Sequence, residues 1–409
     1  MSNHAAWRQY AIVTGNYWAF TLTDGALRML VVLHFHQLGY GALQIALLFL
    51  FYEVFGVVTN LVGGWLGARI GLNRTMNIGL ALQVVALAML AVPAAWLVVP
   101  WVMAAQALSG IAKDLNKMSA KSTIKLLVSD GGQGRLYRWI AALTGSKNAL
   151  KGVGFFLGGA LLALLGFRGS VVVLAGALAL VWLGSLAWLH RGLGRASGKP
   201  RFREVLSSSR AINVLSAARL FLFGARDVWF VVALPVFLSS VLGWDHWRVG
   251  GFLAAWVIGY GVVQALAPGF VRGARGRQPG RGVAFAWAAA LSVVPALIAL
   301  GLSAGMQAQA VLLLGLGVFG VLFAANSALH SYLIVSHARE DGVSLDVGFY
   351  YMANAMGRLV GTLLSGWVYQ RSGLVACLWV SGAFVAVAAL LALWLPAAHE
   401  GPAPDAPPR

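Results

Sequence analysis

Residues 64–74, GWLGARIGLNR, form a short basic turn between two long apolar runs, and this alternation decides the fold. The run before the turn covers residues 42–67, and the run after it covers residues 75–98. Each exceeds the roughly 20 residues that an α-helix needs to cross the hydrocarbon core of a bilayer. A polar turn between two such runs predicts one helix that leaves the membrane and a second that returns.

The same alternation extends over all 409 residues, of which 60% are hydrophobic and only 10% are charged. A soluble domain carries about 25% charged residues, and no soluble fold of this length can bury so much apolar surface. Outer-membrane barrels are excluded because their strands alternate and are less hydrophobic. We therefore predict an all-α integral membrane protein with twelve transmembrane helices. The predicted segments are residues 10–36, 42–67, 75–98, 100–124, 138–164, 169–190, 211–241, 248–269, 282–303, 309–336, 346–369 and 374–396.

The net charge of +18 is explained by the loops rather than by nucleic-acid binding, and no nucleic-acid partner is predicted. Most basic residues lie in short segments between apolar runs, which is the pattern that sets membrane orientation. The asymmetry predicts that both termini lie in the cytoplasm. We expect a multi-pass protein of a bacterial inner membrane. The inner loops then hold Arg69, Arg74, Arg135, the run 191–210, Arg272, Arg275, Arg277 and Arg281, and the outer loops hold Arg168, Arg248 and Arg371.

The two halves of the chain repeat each other. Residues 37–40, QLGY, follow the first segment, and residues 241–244, VLGW, follow the seventh segment at an offset of 204 residues. Two parallel six-helix repeats are typical of secondary transporters. We predict an N-terminal half over residues 1–190, a basic cytoplasmic linker over 191–210, a C-terminal half over 211–396 and a disordered tail over 397–409.

The basic turn at 64–74 resembles the loop-2/3 signature of the major facilitator superfamily, G-x-L-a-D-R-x-G-r-k. Gly64, Leu66, Arg69 and Gly71 match this signature, whereas Ala68 stands where the family has an aspartate. The resemblance implies the major facilitator fold, with two pseudo-symmetric six-helix halves. It also implies that Gly64, Arg69 and Gly71 belong to a loop that takes part in conformational change.

A closer resemblance lies in four stretches, residues 16–25, 109–121, 144–152 and 223–230. They are similar to the organoarsenical efflux permeases, major facilitators that export 1-arseno-3-phosphoglycerate. This resemblance implies arsenate resistance: a glyceraldehyde-phosphate dehydrogenase builds the arsenate anhydride, and the permease expels it before it decays. The implied partners are thus a small anionic substrate, the lipid bilayer and, functionally, that dehydrogenase.

Charged residues inside the apolar segments indicate the transport path. A charge at the bilayer centre costs at least about 2.5–3.5 kcal/mol, so such a residue should face a cavity or a partner. Segments three, six, nine and twelve carry none in their interiors and are expected to face lipid.

The basic residues inside the segments indicate the class of substrate. Lysines spaced by four residues share one helix face. Bases also outnumber acids, which favours an anionic substrate. The predicted substrate-binding residues are Lys113, Lys117, Lys151, Arg226, Arg358, Lys147, Arg28 and Asn326.

The carboxylates inside the segments are predicted either to couple transport to protons or to act as static counter-ions. A buried carboxylate can gain a proton when its surroundings change. Asp24 lies four residues before Arg28, a spacing that favours an ion pair between them. Asp24 and Asp227 are the leading candidates for coupling because they occupy comparable positions in the two halves. The full set is Asp24, Asp114, Asp227, Glu53 and Asp346.

Three bases nearer the predicted cytoplasmic side, Lys121, Lys147 and Arg219, have two interpretations. They could extend their charged ends to the membrane surface and merely orient their helices, or they could face the substrate. Polar residues such as Asn326, His330 and Tyr350 are similarly open, because hydrogen bonds between helices would explain them equally well.

Two alternatives to organoarsenical export remain open at this stage. One is a major facilitator that exports another organic phosphate or a drug. The other is a membrane-embedded enzyme that acts on phosphorylated lipid. No P-loop, C-x-x-C or H-x-x-x-H motif occurs, so we predict no cofactor, no metal site and no enzymatic activity.

Overall fold

The structure is a computed structural model that describes residues 3–40, 48–127, 133–189, 193, 209–244, 246–271, 279–339 and 343–396. Of the predicted linker, only residues 193, 209 and 210 belong to this part. The predicted tail and the loop bases Arg272, Arg275 and Arg277 lie outside the described residues.

Helices account for almost all of the described chain, because a chain in lipid must satisfy every backbone hydrogen bond internally. We number twelve helical segments, α1 to α12. Gly166 divides the continuous helix Gln133–Trp188 into α5 (133–165) and α6 (167–188), and Gly373 divides Val343–Leu393 into α11 (343–372) and α12 (374–393). The others are α1 (Asn3–Gln37), α2 (Leu50–Ile70), α3 (Leu72–Leu90), α4 (Val99–Leu127), α7 (Arg210–Phe230, extended by Ala233–Ser240), α8 (His246–Phe270), α9 (Arg281–Ser303) and α10 (Ala308–His337), and a short 3-10 turn covers Ala94–Trp96.

Glycines with positive φ mark the same places in both halves. Gly166 (φ 66°) and Gly373 (φ 72°) each separate the fifth from the sixth helix of a half. Gly39 (φ 87°) and Gly243 (φ 65°) each follow the first helix of a half, at the offset of 204 residues that the sequence predicts. A side chain with a Cβ adopts this conformation only with strain, so glycine is needed at these turns. The predicted repeat of two six-helix halves is thereby confirmed.

By length and composition alone, seven helices in the described residues are long and apolar enough to cross a membrane. Two of the seven are the bent helices Gly134–Trp188 and Val343–Leu393, each of which covers two predicted segments. Helices α1, α3 and α4 complete the twelve. Large apolar side chains are exposed on the four helices predicted to face lipid, for example Val85 on α3, Leu180 on α6, Leu297 on α9 and Leu390 on α12.

The two halves meet closely at one end of the bundle, which we call the base. It is the end at which α1 begins, α2 turns into α3, and α10 passes into α11. There Ser344 donates a hydrogen bond of 2.7 Å to the carbonyl of Gly64, and Lys125 donates one of 3.1 Å to the carbonyl of Ser336. The rings of Tyr137 and Tyr332 lie 4.8 Å apart between the same two halves. The base is therefore closed.

Two glycine crossings allow this closure. Where α2 crosses α11, a Cβ on Gly64 would lie 2.5 Å from the carbonyl oxygen of Ser344, and one on Gly348 would lie 2.6 Å from that of Asn60. Where α5 crosses α8, a Cβ on Gly145 would lie 2.5 Å from the carbonyl oxygen of Gly261. Because the opposing atoms are backbone, they cannot move aside as a flexible side chain could. Both crossings therefore require residues without a side chain.

Candidate functional site

A continuous chain of ion pairs crosses the middle of the bundle. Arg28 Nη2 lies 2.9 Å from Glu53 Oε1, and Arg358 Nη2 lies 3.3 Å from the same oxygen. Arg358 Nε then lies 3.2 Å from Asp227 Oδ2, and Arg226 Nη2 lies 2.5 Å from Asp227 Oδ1. We call these five residues the central ion-pair chain. It begins on α1 and α2 of the first half and ends on α7 and α11 of the second half.

This chain bridges the two halves and leaves an excess of positive charge. Its link between halves is Arg358, which binds Glu53 on one side and Asp227 on the other. Three guanidiniums face two carboxylates. Asp227 is buried, with a side chain 1% exposed, whereas Arg358 and Glu53 are each 32% exposed. The partial exposure indicates that the chain lines a space between the halves.

A second group of charges lies beside the chain on α4. Asp114 is 2.5 Å from the ammonium group of Lys117 and 3.7 Å from that of Lys113. The ammonium of Lys113 also lies 3.8 Å from the ring centre of Tyr52, and that of Lys117 lies 4.6 Å from the ring centre of Tyr351. A cation over an aromatic face is attracted to it, so two rings help to hold these lysines. Lys113 and Asp114 are adjacent in the sequence and lie within ion-pair distance of each other. We call the central ion-pair chain, together with these α4 charges, the cluster.

The predicted ion pair between Asp24 and Arg28 is wrong. Arg28 binds Glu53 instead, and its guanidinium stacks 4.2 Å from the ring centre of Tyr52. Asp24 accepts hydrogen bonds of 2.8 and 3.0 Å from the hydroxyl of Tyr52. Because α2 presents Tyr52 and Glu53 together, the partners between helices replace the partner within α1. Among the described residues no cation lies within ion-pair distance of the buried Asp24.

Lys147 and Lys151 differ from the other bases of the site. Both are half-buried on α5, and neither has a hydrogen bond or an ion pair with any part of the chain that the structure describes. Both ammonium groups interact electrostatically with Asp24 and Arg358, which places them beside the central ion-pair chain. Within the described chain no hydrogen-bond partner occupies either amino group, so both can donate to a ligand.

Several predicted site residues lie elsewhere. Asn326 donates 2.9 Å hydrogen bonds to the carbonyls of Trp287 and Leu322, so it joins α10 to α9 instead of facing the cluster. Asp346 binds the exposed Arg339 at the base, with a 3.2 Å ion pair, and is remote from the middle of α11. Asn326 therefore lies on a different helix face from the one expected, and Asp346 lies at a different depth.

The predicted loop residues lie at the base. Gly71 (φ 99°) forms the turn between α2 and α3. Arg69 is exposed, with its guanidinium 5.0 Å from the ring centre of Trp65. Gly64 makes the close crossing with α11 described above. These three residues therefore contact the closed end and not the cluster.

Comparison with known proteins decides the family. The family model described as Major Facilitator Superfamily matches residues 13–344. The chain belongs to the Major Facilitator Superfamily. The search of curated protein sequences found no match.

Solved structures share the fold of this facilitator across nearly the whole chain. The human organic anion transporter MFSD10 (TETRAN) matches with a TM-score of 0.74 and 17% identity, covering 95% of this chain and 99% of that one. A bacterial homologue of the iron transporter ferroportin, in an outward-facing state, matches with a TM-score of 0.74 and 14% identity, covering 94% and 98%. The proton:xylose symporter XylE matches with a TM-score of 0.73 and 13% identity, covering 95% of each chain. At these identities the likeness shows the fold alone.

The sequence left three bases of this facilitator open, and the structure fully buries two of them, whereas Lys147 is half-buried. Lys121 is 2% exposed and Arg219 is 3% exposed, so neither extends to the membrane surface. The signal was present in the spacing: Lys121 continues the four-residue series of Lys113 and Lys117, and Arg219 lies seven residues before Arg226, on the same helix face. The interpretation as surface-reaching residues is therefore wrong for Lys121 and Arg219.

The link across the halves can be measured by a double-mutant cycle on Glu53→Gln and Arg358→Gln. Since the two side chains form an ion pair, we expect the unfolding free energies in detergent to show a coupling of about 0.5–3 kcal/mol. The matched control pairs Glu53→Gln with Arg371→Gln, because Arg371 is exposed and lies over Trp367, away from the chain. Additive effects are expected for this control, and additivity in the test pair would contradict the ion-pair chain.

Proposed function

We propose that this facilitator is a secondary exporter of an anionic phosphorylated organoarsenical, 1-arseno-3-phosphoglycerate. The observation that carries the proposal is the imbalance of charge around the central ion-pair chain. Nine bases lie in or beside the cluster, against four carboxylates. The bases are Arg28, Lys113, Lys117, Lys121, Lys147, Lys151, Arg219, Arg226 and Arg358, and the carboxylates are Asp24, Glu53, Asp114 and Asp227.

The substrate would supply the missing negative charge. It carries one phosphate and one arsenate group at its two ends, and both groups are tetrahedral oxyanions. Lys147 and Lys151 offer amino groups that form no ion pair with a described carboxylate, and Arg226 and Arg358 offer planar forks that can bind two oxygens of one group. A molecule with two such groups suits a cavity that has bases on both halves.

The stretches that resemble organoarsenical permeases converge on this cavity. Asp24 lies in the first stretch, residues 16–25, and the α4 lysines lie in the second, residues 109–121. Lys147 and Lys151 lie in the third, residues 144–152, and Arg226 and Asp227 lie in the fourth, residues 223–230. They are far apart in the chain, yet their charged residues contact or face one another. The human structural neighbour is described as an organic anion transporter, so a fold of this kind can carry an anion.

Alternating access follows from the same contacts. The base, which we take to face the cytoplasm, is closed by the two glycine crossings. The central ion-pair chain holds the halves together at mid-depth through Arg358. An anionic substrate that binds the arginines would compete with Glu53 and Asp227 for them. Substrate binding would thereby exchange contacts between the halves for contacts with the substrate, which allows the halves to rock about the site.

For energy coupling we favour Asp24 over Asp227, so that export would run as proton antiport. Asp227 already binds two guanidiniums, Arg226 and Arg358. Asp24 is equally buried, but its described partner is the neutral hydroxyl of Tyr52. A proton on Asp24 would therefore change the charge of the cavity without breaking an ion pair, whereas a proton on Asp227 would have to displace one.

A second candidate is export of another organic phosphate. Phosphate and arsenate share shape and charge, so the bases of the cavity suit both groups equally. A membrane-embedded enzyme is disfavoured, because the chain belongs to a superfamily whose matched solved structures are transporters.

The substrate assignment predicts a conditional phenotype. Arsenic-sensitive bacterial cells that carry this chain together with a glyceraldehyde-phosphate dehydrogenase should resist arsenate and accumulate less arsenic. Cells that carry either gene alone should remain sensitive, because the anhydride is then either not made or not expelled. The measurement is growth in arsenate together with cell-associated arsenic. Resistance from this chain without the dehydrogenase would instead indicate export of arsenate itself.

The lysine pair predicts an affinity loss. Lys151→Gln should weaken binding of 3-phosphoglycerate, a stable analogue of the substrate, by about 10- to 150-fold, since a charge-assisted hydrogen bond contributes about 1.5–3 kcal/mol. Lys151→Arg should restore part of this loss. Binding would be measured on purified protein in detergent. Arg168→Gln, at the exposed end of α6, is the matched control and should bind normally. Equal affinity in Lys151→Gln and wild type would exclude Lys151 from the anion site.

The coupling assignment predicts a difference between pumping and exchange. Asp24→Asn should abolish uphill export driven by a proton gradient and leave downhill movement of substrate measurable, because the amide keeps its bond with Tyr52 but cannot release a proton. Both modes would be measured in membrane vesicles with and without a protonophore. Normal uphill export by Asp24→Asn would show that Asp24 is a structural residue.

A further inference from the structure

Two basic side chains on the base side of the cluster are buried without a carboxylate partner among the described residues. Lys121 on α4 and Arg219 on α7 are 2% and 3% exposed, and neither contacts a carboxylate in the described part of the chain. The desolvation penalty for one ion in a protein interior is several kcal/mol. Two buried basic groups with only neutral partners in the described residues suit an anionic ligand, which would offset this penalty.

The groups that hold Arg219 in the described part of the chain are all neutral. Its Nε donates to Asn354 Oδ1 at 2.9 Å, and its Nη1 donates to the carbonyl and the hydroxyl of Ser327 at 3.4 and 3.3 Å. Its guanidinium carbon lies 3.9 Å from the ring centre of Phe223. These contacts orient the guanidinium and leave its charge uncompensated.

Lys121 has the same kind of surroundings one helical turn away. Its ammonium group donates to the hydroxyl of Tyr351 and, at 3.4 Å, to the hydroxyl of Ser331. Ser327 and Ser331 are four residues apart and share one face of α10. Because one turn rises about 5.4 Å, the two basic side chains that they bind lie one after the other along that face.

Unpartnered polar atoms around the two cations give an independent indication. The hydroxyl of Tyr350 has no hydrogen-bond partner among the described residues, although the residue is 0% exposed, and its ring centre lies 5.3 Å from the Arg219 guanidinium. Nδ1 of His330, a residue 1% exposed, also lacks a described partner and interacts electrostatically with Arg219. Buried polar atoms are normally hydrogen-bonded, so these atoms suit a ligand with several acceptors.

We propose that Lys121 and Arg219 form a second anion site that binds an inorganic tetrahedral oxyanion of the phosphate class. We call it the inner anion site. Its protein groups are an ammonium, a guanidinium and the hydroxyls of Tyr350, Tyr351 and Ser331, all of which can donate to oxygen. Four oxygens can meet these separated donors together, whereas a single halide ion would reach fewer of them. The site does not depend on the identity of the exported substrate.

Inorganic phosphate is the probe. Wild-type protein purified in detergent should bind phosphate in isothermal titration, and its melting temperature should rise with phosphate but not with an equal concentration of chloride. Lys121→Gln and Arg219→Gln should each weaken phosphate binding by about 10- to 150-fold, the loss of one charge-assisted hydrogen bond. Arg371→Gln, an exposed base on α11, should bind phosphate as the wild type does.

Two further variants keep both basic side chains, so they can test the site even if the first variants misfold. If Lys121→Gln or Arg219→Gln fails to fold, Tyr350→Phe and Ser331→Ala should still weaken phosphate by about 2- to 12-fold, which corresponds to one neutral hydrogen bond. Three results would overturn the inner anion site. They are no phosphate binding by the wild type, unchanged phosphate binding in all these variants, or equal displacement of phosphate by chloride. Loss of phosphate binding in Lys151→Gln alone would also overturn it, while leaving the proposed substrate site intact.

Discussion

The need to neutralise charge at the centre of a membrane shapes this molecule more than any other constraint. Nine bases lie in or beside the cluster with four carboxylates, and the low dielectric makes every unmatched charge expensive. The protein meets most of this cost with ion pairs and aromatic rings. Arg358 binds carboxylates of both halves, and Tyr52 contacts Arg28, Lys113 and Asp24 together. The cations that remain without a carboxylate are the strongest indication of what the transporter binds.

Closure of the base depends on a different property, the absence of side chains. The crossings at Gly64 with Gly348 and at Gly145 with Gly261 bring backbones of the two halves together. The central ion-pair chain adds polar contacts at mid-depth that an anion can displace. Packing therefore sets how closely the halves approach at the base, and in the proposed cycle charge sets when they separate at the site. A transporter needs both, since the first gives a defined state and the second makes that state responsive to substrate.

Much of the fold was predictable because its cause is local. Runs of about 20 apolar residues, the 204-residue repeat and the turn at 64–74 give the twelve helices and two halves. The bases were predictable as a set, since four-residue spacing places Lys113, Lys117 and Lys121 on one helix face. Their partners were not, because neighbouring helices compete with neighbours in sequence. Arg28 pairs with Glu53 instead of Asp24, and Asn326 donates a hydrogen bond to α9 instead of facing the cluster. Depth in the membrane was also hard to predict near helix ends. Asp346 was predicted to lie inside its segment, but it lies at the base and pairs with Arg339.

The central claim, that the basic cavity exports a phosphorylated organoarsenical, is tested most directly in everted membrane vesicles with radiolabelled arsenate. The reaction mixture contains glyceraldehyde 3-phosphate, NAD and glyceraldehyde-phosphate dehydrogenase, so that the labelled anhydride forms at the exposed cytoplasmic face. The account predicts that label accumulates inside vesicles that contain this chain, and that omission of the dehydrogenase or of glyceraldehyde 3-phosphate abolishes the accumulation. Accumulation that is unchanged by either omission, or none with the complete mixture, would contradict it.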